Sequence, residues 1–227
     1  MITIKDLTVS YTPERKILDS LDLHLAENCI HGIVGLNGAG KTTLFETIFG
    51  FKQADKGVIQ LNGRAISKKD IAYLPAENYF YPLITGREYL ALFYNPLFCL
   101  DPWNELIKLP LDQVIDEYSS GMKKKLALLG IIKQNRPILI LDEPFNGLDI
   151  EMCRILHLIL MQLKERGKTI LISSHIIETL TNLCDYIYYL SNGTIKNNCD
   201  KTNYADFEAM LYQDIEKDNI DLINRLV

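Results

Sequence analysis

The chain opens on alternation. In ITIKDLTVSY and again in ILDSLDLHLAEN, apolar and polar residues trade places, the pattern of half-exposed antiparallel strands. CIHGIVG is apolar without alternation, as a strand buried on both faces must be. It runs into LNGAGKTTLFETIFG, a glycine turn feeding a helix that Gly50 terminates, and GVIQLNGRAI then reads as another strand and turn. From about residue 78 to 135 the texture changes. NYFYPLITGREYLALFYNP is aromatic and reads as mostly helical, broken by Pro96 and Pro102, and a second helix runs from YSSGM through KKKLALLGIIKQ. Buried strands return in PILILDEP and KTILISSH, with a helix around IEMCRILHLILMQLKERG between them. Phe207, Met210, Leu211 and Ile215 then fall at helical spacing, an amphipathic tail helix that docks on the body.

Strands alternating with helices of this length predict an α/β fold with a mainly parallel sheet, preceded by an antiparallel β subdomain and interrupted by an α-helical insertion. Neither a repeat nor a linker divides the chain. The expected organisation is one domain over 1–227: a core of about 1–77 and 136–200, a helical subdomain of about 78–135, and a helical tail of about 201–227.

Composition narrows the functional classes. With 227 residues and 48 % hydrophobic content the chain can bury one large core, and a net charge of −5 disfavours a general nucleic-acid binder. The five cysteines form no CxxC pair, which argues against a zinc site or a disulfide framework and suits a reducing cytosol. MITIKDLTVSYTPERK lacks the basic-then-apolar order of a secretory leader, and ILHLILMQL is about half of the ~20 residues a membrane span needs. The expectation is a cytoplasmic protein that reaches a membrane only through something else.

The chemistry begins at GLNGAGKT, residues 35–42, which matches the phosphate-binding loop G-x-x-x-x-G-K-[ST]. Gly35, Gly38 and Gly40 let successive N–H groups curl around one anion, and the following helix points its positive end at the same place. Asn37, Gly38, Ala39, Gly40, Lys41, Thr42 and Thr43 are therefore candidate nucleotide contacts. Lys41 reaches the β- and γ-phosphates, and Thr42 offers a hydroxyl to Mg²⁺. In ILILDEP a buried strand delivers Asp142 to its end, where it can hold the metal through water, and Glu143 one residue on can polarise an attacking water. Alone, such an acidic pair could simply cap the next helix. His175, ending KTILISS, reads by itself as a strand-end histidine; beside the loop and the acidic pair it becomes a candidate γ-phosphate sensor. YSSGMKKKL places three lysines at the start of a helix, where the dipole disfavours cations. Each lysine taken singly reads as part of a solvated face.

The order of phosphate loop, YSSGM helix, LDEP, NGLD and SSH resembles the nucleotide-binding subunit of an ABC (ATP-binding cassette) transporter, over essentially residues 1–200. The resemblance implies a P-loop NTPase core, ATP and Mg²⁺ as cofactors, and ATP hydrolysis with Glu143, Lys41 and His175 as catalytic residues. It implies a head-to-tail dimer, homo- or heteromeric, in which the signature that here reads YSSGM binds the γ-phosphate held by the other subunit. Ser119, Gly121 and the N–H groups through Met122 would make that site. It places Tyr11 where an aromatic stacks on adenine, although a lone tyrosine there can equally be packing, and it places Asp149 of NGLD at the junction of the two sites. A separate transmembrane permease subunit is implied as partner, with the chain on the cytoplasmic face and export as the mode. The aromatic stretch NYFYPL reads either as the docking surface for that partner or as the subdomain's own core. Two departures stand out. The family's glutamine after the strand resembling IAYLP is Ala76 here, with Glu77 one residue on as a candidate replacement metal contact. The signature carries Ser120 and Met122 for its usual glycine and glutamine, which is expected to lower trans-site affinity while leaving hydrolysis in place. The alternatives are a soluble cassette ATPase or a nucleotide-dependent switch uncoupled from transport.

Overall fold

The structure, a computed structural model, describes residues 1–12 and 15–226; within the last helix most side chains beyond Gln213 lie outside the description, Ile215 among them. Among the described residues ten strands run in chain order as β1 (Ile2–Thr12), β2 (Arg15–Leu25), β3 (Ile30–Val34), β4 (Lys56–Leu61), β5 (Arg64–Ala65), β6 (Ile71–Leu74), β7 (Ile138–Leu141), β8 (Thr169–Ser174), β9 (Tyr186–Ser191) and β10 (Thr194–Asp200). Alternation does what it predicts in the first two: Ile2 lies opposite Leu25 and Ile4 opposite Leu23 in an antiparallel pair, with all four side chains buried. This sheet has the order β2-β1-β4-β5.

The second sheet has the order β10-β9-β3-β8-β7-β6, parallel from β9 to β6 with β10 antiparallel at the edge. Its inner strands β3, β7 and β8, and β6, are buried throughout because both faces are covered, whereas the edge strand β10 is polar and mostly exposed. One face packs on the first sheet and on α1 (Lys41–Phe49). The other packs on α4 (Ser120–Lys133), α5 (Ile150–Glu165) and α6 (Ile177–Thr181), and on α7 (Tyr204–Leu226) through Phe207 and Leu211. Register brings the carboxyl ends of the strands level. Val34 pairs with Ser174, Leu141 with Ile172, and Leu74 with Leu141. Whatever follows β3, β6, β7 and β8 therefore meets at one edge of the sheet, where open α/β sheets bind ligands.

Three features differ from the sequence reading. Residues 78–85 are not helical. The helix α2 (Gly86–Ala91) starts only at Thr85, whose hydroxyl accepts the Glu88 N–H at 3.2 Å while the Glu88 carboxylate accepts the Thr85 N–H at 2.8 Å. That reciprocal cap fixes the start downstream of Pro82. Pro102 does not break a helix but sits in the first turn of α3 (Leu100–Ile107), where a missing N–H has no helical acceptor to lose. The hairpin β9–β10 went unread, although its Asn192-Gly193 turn carries the strongest short-range hairpin signal.

The aromatic stretch divides between its two readings. Phe80 packs inward against Tyr89, ring centroids 5.0 Å apart, whereas Tyr79, Tyr81 and Leu83 are 86 %, 68 % and 82 % exposed.

Candidate functional site

The loop after β3 is shaped by close approach. A side chain at residue 35 would meet the Leu190 carbonyl of β9 at 2.4 Å, so only glycine fits there. Gly40 caps α1 at φ 108, and no side chain satisfies the first amides of that helix, which stay open to an anion. Lys41 is 7 % exposed. Its ammonium donates to the Gly35 carbonyl at 2.7 Å and the Leu36 carbonyl at 3.3 Å, and lies 3.9 Å from Glu143. Burial pushes its pKa down, against the opposing pull of Glu143 and Asp142.

Asp142 is fully buried, one residue beyond β7. One carboxylate oxygen accepts the Thr42 hydroxyl at 2.6 Å; the other accepts the hydroxyl of Ser173 on β8. Ser173 also accepts the Glu143 N–H at 2.9 Å, which holds Glu143 in left-handed backbone at φ 47. From there the Glu143 carboxylate meets Lys41 and, at 3.1 Å, Nδ1 of His175. Lys41, Thr42, Asp142, Glu143 and His175 are thus one connected cluster. Ser173 was not read from the sequence; a serine that follows the apolar run Ile170-Leu171-Ile172 in a buried strand was the available signal.

Lys41, Thr42, Asp142 and Glu143 face a cleft of about 370 Å³ lined also by Tyr11, Asn37, Gly38, Gly40 and Thr43, and by Arg15 and Ile17, which the sequence did not single out; His175, joined to it through Glu143, lines a neighbouring pocket with Gly35, Leu36 and Tyr212. Ala39 is packed beneath the loop, in the apolar cluster around α1. Tyr11 is 61 % exposed at the cleft wall; its hydroxyl lies 3.5 Å from Thr43 Oγ1 and the Lys52 ammonium sits 3.1 Å from its ring centroid. The tyrosine is a cleft residue and not core packing. Thr42 and Asp142 present the hard oxygen donors that Mg²⁺ takes together with phosphate oxygens. Among the described residues no group of three or more His, Cys, Asp or Glu could hold a metal by itself.

Glu77 is not brought to this cleft. Past β6, Ala76 lines both the phosphate cleft and a second cavity, and Glu77 lines only the second, with Ser120, Lys123, Lys124, Asn146 and Gly147. Both residues sit in the bend that follows β6, and that bend leaves the Glu77 carboxylate outside the cleft that Thr42 and Asp142 line.

Ser119 and Gly121 also lie off the cleft. Ser119 caps α4, its hydroxyl accepting the Met122 N–H at 3.2 Å, and Gly121 packs near the Gly147 carbonyl. The solvated-face reading of the lysines fails for two of the three. Lys124 is buried, with its ammonium 3.4 Å from the Ala76 carbonyl, and Lys125 pairs with Asp149 at 3.1 Å. Asp149 in turn caps α5, accepting the Met152 N–H at 2.7 Å.

The model of the ABC transporter family matches residues 18–146, more than half of the chain. The chain belongs to the ABC transporter family. An uncharacterised ABC transporter ATP-binding protein of Methanocaldococcus jannaschii is 32 % identical over 223 residues, covering 91 % of this chain and 82 % of that protein. The solved ATP-binding subunit of an ABC transporter superposes with a TM-score of 0.81 at 28 % identity, over 88 % of this chain and 90 % of that one. An ATP-bound bacterial Atm1-family ABC exporter shares the fold, with a TM-score of 0.79 at 20 % identity over 92 % of this chain and 41 % of that one. The fold is therefore that of an ABC ATPase cassette, and the chain is an ATP-binding subunit of this family, whose membership implies ATP hydrolysis. Among the described residues no helix is long and apolar enough to cross a membrane.

Proposed function

We propose that this cassette, a single unit over its whole length, binds Mg-ATP between two head-to-tail subunits and hydrolyses it to drive a separate transmembrane permease, in the direction of export. The observation that carries the reading is the linked cluster of Lys41, Thr42, Asp142, Ser173, Glu143 and His175 at the carboxyl edge of the parallel sheet.

In hydrolysis the loop amides and the open end of α1 hold the phosphates, and Tyr11 at the cleft wall takes the base. Thr42 and Asp142 would hold Mg²⁺, which would supply positive charge to offset that of the phosphates. The Lys41 ammonium, already desolvated, interacts strongly with charge that develops on the transferred group. Glu143, poised between Lys41 and His175, takes a proton from the attacking water, and His175 holds the γ-phosphate.

The dimer reading is supported by Ser119 and the amides at the start of α4: they are disposed to take an anion and lie off their own chain's phosphate cleft, so a second cassette would supply the phosphate. The exposed Tyr79, Tyr81 and Leu83 are the surface offered to the permease, which holds the chain at the cytoplasmic face. Export is supported by the 30 % identity over 196 residues to a Nod factor export ATP-binding protein of Burkholderia thailandensis.

The test is to tag the Glu143→Gln variant, solubilise source-cell membranes with Mg-ATP, and identify what is captured. The expected companion is a multi-span membrane protein, with wild-type turnover on the order of 10²–10⁴ times that of the variant. A purely soluble eluate would sink the transport reading, and indistinguishable turnover would leave a nucleotide-dependent switch.

A further inference from the structure

Lys124 is a charged side chain that the hydrolytic cluster leaves unused. It is 6 % exposed, in a helix whose dipole disfavours a cation so near its start. A lysine is almost never buried without a partner that holds its charge. The hydrogen bond it makes is long, 3.4 Å to the Ala76 carbonyl, and burial pushes its pKa down against the opposing pull of Asp142 and Glu143. Helix α4 packs against β6, which carries the lysine to the segment leaving that strand. The ammonium thus meets the backbone of Ala76, which lines the phosphate cleft on one side and shares a second cavity with Lys124 on the other, while the same helix starts at its Ser119 cap. Lys125, next along, ties α4 to Asp149 beyond the acidic pair.

We propose that Lys124 is a positioning residue for hydrolysis: its ammonium anchors the Ala76 wall of the cleft and the field around the Asp142–Glu143 pair to the start of α4. A displacement of α4, such as docking of a second cassette on Ser119 would bring, then reaches the hydrolytic carboxylate through one buried charge. The inference rests on the hydrolysis reading above and adds a residue to it. Lys124 does not line the nucleotide cleft, so its removal acts on turnover and not on nucleotide binding.

The test is steady-state ATP turnover and thermal melting of the full chain as wild type, Lys124→Met, Lys124→Arg and Glu143→Gln. Lys124→Met keeps the length of the side chain and removes its charge, so the variant melts no lower than wild type. Its kcat is expected to fall about tenfold, equivalent to about 1.4 kcal/mol, with KM for ATP within about twofold. Lys124→Arg restores part of kcat. Wild-type kcat in Lys124→Met would overturn the proposal. So would a lower melting temperature, a failure to fold, or a rise in KM that accounts for the loss, each of which makes Lys124 a packing residue. Glu143→Gln separates the two readings: if it does not slow turnover, the hydrolysis reading itself fails, whereas if it does and Lys124→Met does not, only the present inference fails.

Discussion

Replacing Ser173 by alanine tests the site where it is most tightly built. The hydroxyl is wholly buried and serves two neighbours, donating to Asp142 and accepting the Glu143 N–H. Alanine leaves both without that partner in a place water does not reach. An orphaned buried polar group costs roughly 1–3 kcal/mol, more when charged, so about 1 kcal/mol for the amide and about 2 kcal/mol for the carboxylate oxygen sum to about 3 kcal/mol. For a chain of this size that is a fall in melting temperature of roughly 6–12 °C. The left-handed conformation of Glu143 disfavours an L-residue by about 1–2 kcal/mol and is held in part by that same amide bond, so its carboxylate loses its fixed place between Lys41 and His175. ATP turnover should drop about tenfold with little change in KM. Ser174→Ala is the control: it removes one bond, accepted from the Ile176 N–H at 3.0 Å, and should cost about 1 kcal/mol. Both variants are read by urea unfolding and by ATPase assay. If Ser173→Ala loses less than about 1 kcal/mol, or no more than Ser174→Ala, the reasoning that makes this serine the brace of the acidic pair is wrong.

Gly40→Ala forces a side chain onto φ 108 with its Cβ 2.9 Å from Leu18 Cδ2; nucleotide affinity should fall at least tenfold and stability by about 1–2 kcal/mol, read by fluorescent-ATP titration and melting. His31 is fully buried, with Nε2 2.9 Å from the Ala26 carbonyl, and burial holds its pKa below the ordinary histidine value despite that carbonyl and Asp185. The unfolded chain therefore takes up this proton first as pH falls, so the stability is present above about pH 6.5 and is lost below it at up to about 1.4 kcal/mol per pH unit until the folded-state pKa is reached. Urea unfolding from pH 8 to pH 5 should show that slope in wild type and a shallower one in His31→Gln; equal slopes would count against the assignment. Asp185 accepts the Ile30 N–H at 2.8 Å and pairs with Lys164 and Lys201, so Asp185→Ala should destabilise by about 2–3 kcal/mol in chemical denaturation, with turnover per folded molecule unchanged.

Much of the molecule is legible from residue order because its determinants are local. The run GLNGAGKT makes its own anion site: glycines permit the curl, and the helix that follows supplies the field. The alternation of β1 and β2 and the unbroken apolar runs of β3, β7 and β8 announce which faces are covered. Linear order also names the cluster, since strands that end in Asp142-Glu143 and in His175 must deliver them to one edge once the sheet is parallel. What residue order does not carry is who faces whom across that edge. Ser173 is one more residue of a buried strand until β7 and β8 pair and set its hydroxyl between Asp142 and Glu143. Glu77 reads as a metal contact until the chain leaving β6 turns Ala76, and not its neighbour, toward the cleft. Three lysines in a row look alike, and α4 lying against β6 buries one of them and pairs another. Period and spacing determine which groups reach a common edge; register and packing alone decide which are buried, which pair, and which meet, because those depend on residues a hundred positions away in the chain as much as on their own neighbours.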